Sequence, residues 1–131
     1  MFPGIGYYKF HWNSSTIFLE ALSKCRDEGG HLIIINSEEE AGVVRHLFSS
    51  HKPEKLLAYA GFFDPAMGQH FVTIFGQPLN ETGYQKWGRH QPNGRENESC
   101  GYVYEDGTIG DVVCSSPLPF MCEYDLSWNV D

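Results

Sequence analysis

Oxygen-bearing side chains are crowded into residues 87–114, WGRHQPNGRENESCGYVYEDGTIGDVVC, which also contain two of the four cysteines. Amides and carboxylates are the hard oxygen ligands that calcium prefers, and they also form hydrogen bonds with sugar hydroxyls. A solvated loop would have a similar composition without binding anything. The segment therefore leaves three alternatives open: a metal site, a sugar site or a solvated loop.

The composition of the chain limits the class of protein to which this segment can belong. The 131 residues fit one domain, and 41% hydrophobic with 15% aromatic content is enough for a packed core. No stretch approaches the roughly 20 apolar residues of a membrane span. The net charge of −8 opposes phosphates, so we expect no nucleic-acid partner and no insertion into or adhesion to anionic membranes. The chain opens MFPGIGYYKF, without an apolar secretion-signal region, so we expect a natural signal or a preceding domain to have been removed.

The cysteines favour an oxidising compartment. They are Cys25, Cys100, Cys114 and Cys122, and none forms a CxxC pair of the kind seen in zinc ribbons or thioredoxins. Four cysteines allow three pairings, of which one is nested, with a short loop inside a long one. The alternative is four buried thiols. Candidate N-glycosylation sequons at Asn13, Asn80 and Asn97 also favour a secreted protein.

An early helix is predicted after an N-terminal strand, GYYKFHW, that ends near Asn13. Thr16 or Ser15 is expected to cap this helix, and Gly29 with Gly30 to end it. Its apolar positions recur at helical spacing: Ile17, Phe18, Ala21, Leu22 and Cys25.

A second helix is predicted to begin at a capping box formed by Ser37 and Glu40. One stripe along it is apolar: Ala41, Val44, Leu47 and Phe48. Strands are predicted at HLIII, at residues 55–63, in a hairpin around Asp106–Gly107 and at PFMCEY. Residues 64–99 are rich in Gly, Pro, Asn and Gln, and an irregular segment of that length is usually functional. Helices first and strands later are typical of an α+β fold.

Several motifs, taken in their order along the chain, resemble those of the C-type lectin-like domain family over more than 100 residues. The matching segments are TIFLEALSKC, HLIIINSEEE, YAGF in place of the family's W-I-G-L strand, Trp87 before Gln91-Pro92-Asn93, Glu98-x-Cys100, Asp111-x-x-Cys114 and PFMCEY. The segment FVTIFGQPLNETGYQKW is similar to insect immulectins or lipopolysaccharide-binding lectins. The resemblance implies two helices, two small antiparallel sheets, a long irregular loop region, and disulfides Cys25–Cys122 and Cys100–Cys114.

The resemblance also implies a calcium ion that binds two adjacent sugar hydroxyls. Its matching ligands are Gln91, Asn93, Glu98 and Asp111, aimed at one point by a cis Gln91–Pro92 bond. Gly110 stands where the family's W-N-D triplet has an asparagine ligand, so one side-chain oxygen is missing. Gln91 is neutral, which leaves only two carboxylates. We therefore expect calcium affinity on the order of 10⁻⁴–10⁻³ M, or no binding.

Sugar preference is not decided by the loop sequence. Q-P-N has an amide on both sides of the proline, whereas the family's mannose-type E-P-N and galactose-type Q-P-D have one acid and one amide. Two further residues are candidates for sugar contact: Trp87, which could pack under a ring, and Arg95. Lys86, Arg89 and Arg95, with His90, form a basic island that we hypothesise receives an anionic group of a microbial glycan. The alternative is that these side chains pair with Glu96 and Glu98 or stay solvated.

Enzymatic signals are weak in comparison. The six histidines are scattered, and no G-x-S-x-G elbow or credible Cys/His pair is present. The sequence therefore predicts a secreted, non-enzymatic glycan-binding domain over residues 1–131, compatible with excision from a tandem-domain protein. It would recognise microbial sugars in innate immunity and would gain avidity from oligomerisation or a second domain. The alternative is a calcium-independent module on the same fold that binds a protein partner and has a degenerate sugar site.

Overall fold

The computed structural model describes residues 7–51, 55–65, 70–92 and 98–124. The elements, in chain order, are β1 (Tyr7–Thr16), α1 (Phe18–Asp27), β2 (His31–Leu32), α2 (Glu38–His51), β3 (Leu57–Phe63), β4 (Val72–Thr73), a 3₁₀ helix (Leu79–Glu81), β5 (Glu98–Tyr104), β6 (Ile109–Val113) and β7 (Leu118–Tyr124). The predicted α+β class, with two helices early in the chain, is confirmed. No helix within the described ranges has the length and apolar character needed to cross a membrane.

The strands join into one sheet rather than two separate small ones. Its main order is β1-β7-β3-β5-β6, with β2 paired to β7 and β4 to β3. The expected division into two antiparallel sheets is lost because Tyr59 of β3 pairs in parallel with Phe120 of β7. This contact connects the terminal strands to the β5–β6 hairpin. The hairpin therefore lies at the end of a sheet that the rest of the chain supports.

Helix α1 does not begin where a polar cap was expected. Thr16 is the last residue of β1 and pairs with Leu118, and Ile17 occupies the N-cap position without a side-chain hydrogen bond. The Thr16 hydroxyl donates instead to Glu20 Oε2, at 2.5 Å. Its pairing with Leu118 makes Thr16 the last residue of the strand, so the helix begins one residue later and Ile17 takes the cap position.

The end of α1 follows the prediction. Gly29 has φ +89°, a left-handed conformation that favours glycine. The amide of Gly29 donates to the Arg26 carbonyl at 3.0 Å, and that of Gly30 donates to the Cys25 carbonyl at 2.9 Å. These two bonds satisfy carbonyls of the last helical turn, as in a Schellman motif.

The predicted capping box of α2 is present in modified form. The Glu40 amide donates to Ser37 Oγ at 3.2 Å, while the Glu40 carboxylate accepts from the Asn36 amide at 3.0 Å. The same carboxylate accepts from the Tyr8 hydroxyl at 2.6 Å and is 4% exposed. The start of α2 is thereby attached to β1. The predicted apolar stripe is buried in the core: Ala41, Val44, Leu47 and Phe48.

The nested disulfide pairing is confirmed. Cys25 of α1 is bonded to Cys122 of β7, and Cys100 of β5 to Cys114, which follows β6. The first bond holds the N-terminal helix on the central strand. The second holds the two ends of the hairpin together.

From a cluster of hydrogen bonds around the exposed Glu28, we expect the stability of the fold to depend on pH. Its carboxylate accepts from Lys9 Nζ at 3.1 Å and from the Tyr124 hydroxyl at 2.9 Å, and His11 Nε2 lies 3.0 Å away. Burial, the largest single influence, raises the pKa of Glu28. The three hydrogen bonds together outweigh it and hold that pKa below its ordinary value of 4.5.

We expect Glu28→Gln to be less stable than the wild type near neutral pH. A lowered folded-state pKa contributes stability that is complete above the ordinary pKa and is lost as the pH falls through the folded-state value. The difference in melting temperature between the two proteins should therefore shrink between about pH 6 and about pH 3. Thermal melts over this range check it, with Glu39→Gln as an exposed control. A difference that stays constant with pH would contradict the expectation.

Candidate functional site

The β5–β6 hairpin positions the carboxylate predicted to bind calcium. Its turn is closed by Asp106, whose Oδ1 accepts from the Thr108 amide at 2.9 Å, and by Gly107 at φ +89°. This confirms the predicted hairpin. The register pairs Gly101 with Asp111, and Asp111 is 3% exposed.

The segment before the Q-P-N triplet runs beside the edge strand β6. Trp87 forms a parallel bridge with Ile109, the Gly88 amide donates to the Ile109 carbonyl at 2.8 Å, and the Ile109 amide donates to the Lys86 carbonyl at 3.0 Å. His90 then takes φ +65°, which turns the chain back toward the hairpin. These contacts hold residues 86–88 next to β6, although the two segments are about 20 positions apart in sequence.

Gln91 and Asp111 are brought together by this arrangement. The Gln91–Pro92 peptide bond is cis, as the resemblance implied. Gln91 Oε1 accepts a hydrogen bond from the Asp111 amide at 3.0 Å. A carbonyl oxygen has two lone pairs, so this bond orients the amide of Gln91 without using its whole acceptor capacity. Two of the four predicted ligand residues are therefore adjacent.

Gly110 is covered by the side chain opposite to it. Tyr102 is its partner across the hairpin, and a Cβ atom added at Gly110 would overlap the end of the Tyr102 ring. Tyrosine thus fills the space where the family's asparagine would stand. An aromatic residue packed over a glycine on an edge strand protects the exposed backbone. This role of Tyr102 was not predicted from the sequence, because a two-residue turn at Asp106–Gly107 would place Val103 opposite Gly110, whereas the observed register places Tyr102 there.

The Trp87 side chain mainly packs against the hydrophobic core. Its ring lies 5.0 Å from that of Phe71 and 6.0 Å from that of Phe62, between ring centroids, and the side chain is half-buried. Its contact with a sugar remains a prediction. Asn13 and Asn80 are exposed, as glycosylation requires.

Several predicted residues lie outside the described part of the chain. They are Asn93, Arg95, Glu96, Asn97 and the side chain of Glu98. Of the basic island, Arg89 and His90 are exposed, and Lys86 Nζ lies 3.7 Å from Glu38 Oε2. Lys86 therefore has an acidic partner on α2, different from the partners proposed for it.

One group of potential metal ligands is found among the described residues, away from the hairpin. His11, Glu28 and Cys122 have ligand atoms within 4.8 Å of one another. Cys122 is oxidised in a disulfide and has no thiolate to offer. This cluster is therefore explained by the hydrogen bonds of Glu28 and not by a metal.

A groove beside the cis peptide was not anticipated from the sequence. It has a volume of about 340 Å³, and it is lined by His70, Phe71, Val72, Pro78, Asn80, Gln85, Trp87 and Pro92. The composition of residues 64–99 indicated a functional loop region. It gave no indication of which side chains meet, because they come from separate turns.

Comparison with known proteins supports the fold. Residues 14–124 match the family described as Lectin C-type domain. A hemolymph lipopolysaccharide-binding protein of Periplaneta americana is 43% identical over 129 residues, which are 93% of this chain and 50% of that protein. This chain thus spans about half the length of that relative.

Solved structures agree with this match. The carbohydrate-recognition domain of the mouse scavenger receptor C-type lectin has a TM-score of 0.75 at 26% identity, covering 90% of this chain and 88% of that one. Human lithostathine has a TM-score of 0.80 at 18% identity, covering 95% and 91%. At that identity, lithostathine shows the fold alone. The match over residues 14–124 and the 43% identical relative establish that this chain belongs to the C-type lectin domain family.

Proposed function

We propose that the chain is a secreted, non-enzymatic glycan-binding domain whose sugar site is centred on Gln91 and Asp111. The observation that carries the proposal is the hydrogen bond from the Asp111 amide to Gln91 Oε1, at 3.0 Å, beside the cis Gln91–Pro92 bond. It brings the side-chain oxygen of Gln91 to the backbone of Asp111, which supports a site shared by the two residues. Asn93 and the carboxylate of Glu98 would complete the set, since they flank this point in sequence.

Calcium fits this donor set only weakly. The ion takes about 6–8 oxygen ligands, and each carboxylate that is missing lowers its affinity. Glu98 and Asp111 supply the only two carboxylates of the proposed set, and Gly110, covered by Tyr102, supplies no side-chain oxygen. We therefore infer calcium binding on the order of 10⁻⁴–10⁻³ M. When bound, the ion would polarise two sugar hydroxyls, while the amides of Gln91 and Asn93 donate hydrogen bonds to them.

Microbial surface sugars are the ligand class we infer. The support is the 43% identical insect relative, whose name describes lipopolysaccharide binding in hemolymph. One shallow sugar site is weak by itself, so recognition of a microbial surface requires several sites acting together. Because the chain spans half of that relative's length, a second domain or an oligomer is the natural source of that avidity.

Calcium titration followed by thermal melting tests the proposal. At a calcium concentration ten times a millimolar Kd, ligand binding stabilises the folded state by about 1.4 kcal/mol. For a domain of this size, that corresponds to a rise of about 5 °C in Tm, which EDTA should reverse. Asp111→Asn should abolish the rise, together with calcium-dependent binding on a glycan array. Glu105→Gln, which removes the same charge from an exposed position between β5 and β6, should retain both.

A calcium-independent protein-binding module is the second candidate. The packing of Tyr102 over Gly110 favours it, because this packing removes a ligand position and covers the place with an aromatic ring. If the wild type shows no shift in Tm with calcium and no signal on the glycan array, this second candidate replaces the first.

A further inference from the structure

We propose that the groove lined by Phe71, Trp87, Asn80 and Gln85 binds a second, uncharged sugar ring of an oligosaccharide whose first ring occupies the Gln91–Asp111 site. This inference rests on the proposed function and extends it from a monosaccharide to a longer ligand. The two places are adjacent along the chain, because Pro92 lines the groove and is joined to Gln91 by the cis peptide bond. On this inference, a chain of sugars leaving the first site enters this groove.

The floor of the groove is aromatic and fixed in place. Phe71 is 7% exposed and Trp87 is half-buried, with their ring centroids 5.0 Å apart and their planes tilted by 57°. Phe62 packs edge-on against both rings, at 6.0 Å from each. These aromatic side chains have little conformational freedom left to lose on binding. The carbon-bound hydrogens of a pyranose ring can pack on such an apolar surface while its hydroxyls face outward.

The rim of the groove is polar, and its described lining residues include no lysine, arginine, aspartate or glutamate. Asn80 and Gln85 are exposed amides, each able to donate and accept hydrogen bonds, and His70 adds an imidazole. Donors and acceptors without charge suit neutral hydroxyls better than a phosphate or an acidic sugar, which would favour a cation. The groove therefore suits neutral sugars, whereas the exposed Arg89 suits anionic groups.

The backbone around the groove is already ordered in a tight hairpin. Val72 bridges Pro78, the Thr73 amide donates to the Gln77 carbonyl at 2.8 Å, and the Leu79 amide donates to the Phe71 carbonyl at 2.9 Å. The volume of about 340 Å³ lies within the range of roughly 300–1,000 Å³ that small-molecule sites occupy. The groove is thus preformed and large enough for a sugar ring.

Titration of neutral oligosaccharides against protein produced without N-glycosylation tests the groove. The probes are methyl glycosides of mannose, glucose and galactose and their di- and trisaccharides. In at least one series, we expect the oligosaccharide to bind at least about 5-fold more tightly than the methyl glycoside, as one added set of contacts provides. In the same titration, the indole N–H resonance of Trp87 should shift with the oligosaccharide.

Matched variants test whether the groove residues cause the gain in affinity for the oligosaccharide. Asn80→Ala and Gln85→Ala should each reduce the ratio of oligosaccharide to monosaccharide affinity to below about 2-fold. Asn13→Ala should leave the ratio unchanged, because Asn13 is also an exposed sequon asparagine but lies on β1. A ratio that survives both groove variants overturns the inference, as does an oligosaccharide that gains nothing over the monosaccharide.

The failure of the groove and the failure of the first site are distinguishable. Suppose that Asp111→Asn abolishes binding of every probe, while the wild type binds oligosaccharides no more tightly than the methyl glycosides. The first site then stands and the groove is overturned. If the Trp87 resonance shifts with oligosaccharides as strongly in EDTA and in Asp111→Asn as in the wild type with calcium, the groove stands and the calcium-assisted site fails. If adding an N-glycan at Asn80 blocks the Trp87 shift, that result supports the groove as a place where sugar fits.

Discussion

Replacing Cys25 and Cys122 together by alanine is expected to lower the free energy of unfolding by about 4–5 kcal/mol. The bond joins residues separated by 97 positions, so it removes a large amount of conformational freedom from the unfolded chain. Both sulfurs are fully buried, where α1 packs on β7, and the variant also leaves a small cavity. Urea denaturation under non-reducing conditions measures the loss.

The second disulfide provides the matched comparison. Cys100 and Cys114 are separated by 14 positions, and the same double substitution should cost about 3 kcal/mol. Both pairs lose the same atoms and contact the same hydrophobic cluster, in which Cys114 alone is only partly buried, so the difference reflects mainly the length of the closed loop. An equal or larger loss for the short-loop variant would contradict the entropic explanation.

Glu40→Ala is expected to destabilise the fold by about 2 kcal/mol, because it removes a buried acceptor that two donors share. The carboxylate is 4% exposed and accepts from the Tyr8 hydroxyl at 2.6 Å and the Asn36 amide at 3.0 Å. Tyr8 lies on β1 and Asn36 precedes α2, so one side chain joins two elements. Chemical denaturation should show a lower midpoint with an unchanged slope.

Neighbouring glutamates provide the controls for this prediction. Glu39→Ala changes an exposed carboxylate in the same helical turn and should alter the stability by less than about 0.5 kcal/mol. Glu40→Gln keeps an acceptor oxygen for one of these donors and should lose less stability than Glu40→Ala. If Glu39→Ala and Glu40→Ala lose the same amount, the buried hydrogen bonds are not the cause.

The two helices show what local sequence could and could not predict. The start of α2 was predictable because Ser37 and Glu40 lie within one turn and their hydrogen bond is local. The start of α1 was not, because Thr16 is held in β1 by its pairing with Leu118, more than 100 positions away. Local capping preferences are small compared with a tertiary strand pairing, and they give way to it.

The candidate site depends on contacts that no periodicity encodes. The family pattern identified Gln91 and Asp111 individually, and the structure brings them within one hydrogen bond through a turn at His90 and a cis proline. The groove could not be predicted at all, since its walls come from several separate turns whose positions depend on packing around Phe62.

The pairing of Tyr102 with Gly110 constrains the order in which this surface can evolve. An asparagine gained at position 110 would collide with the tyrosine, whereas a small residue gained at position 102 would leave the glycine backbone bare at a sheet edge. An asparagine at position 110 therefore requires the Tyr102 ring to move aside or to be replaced by a smaller side chain. Regaining the missing metal ligand thus depends on what occupies position 102.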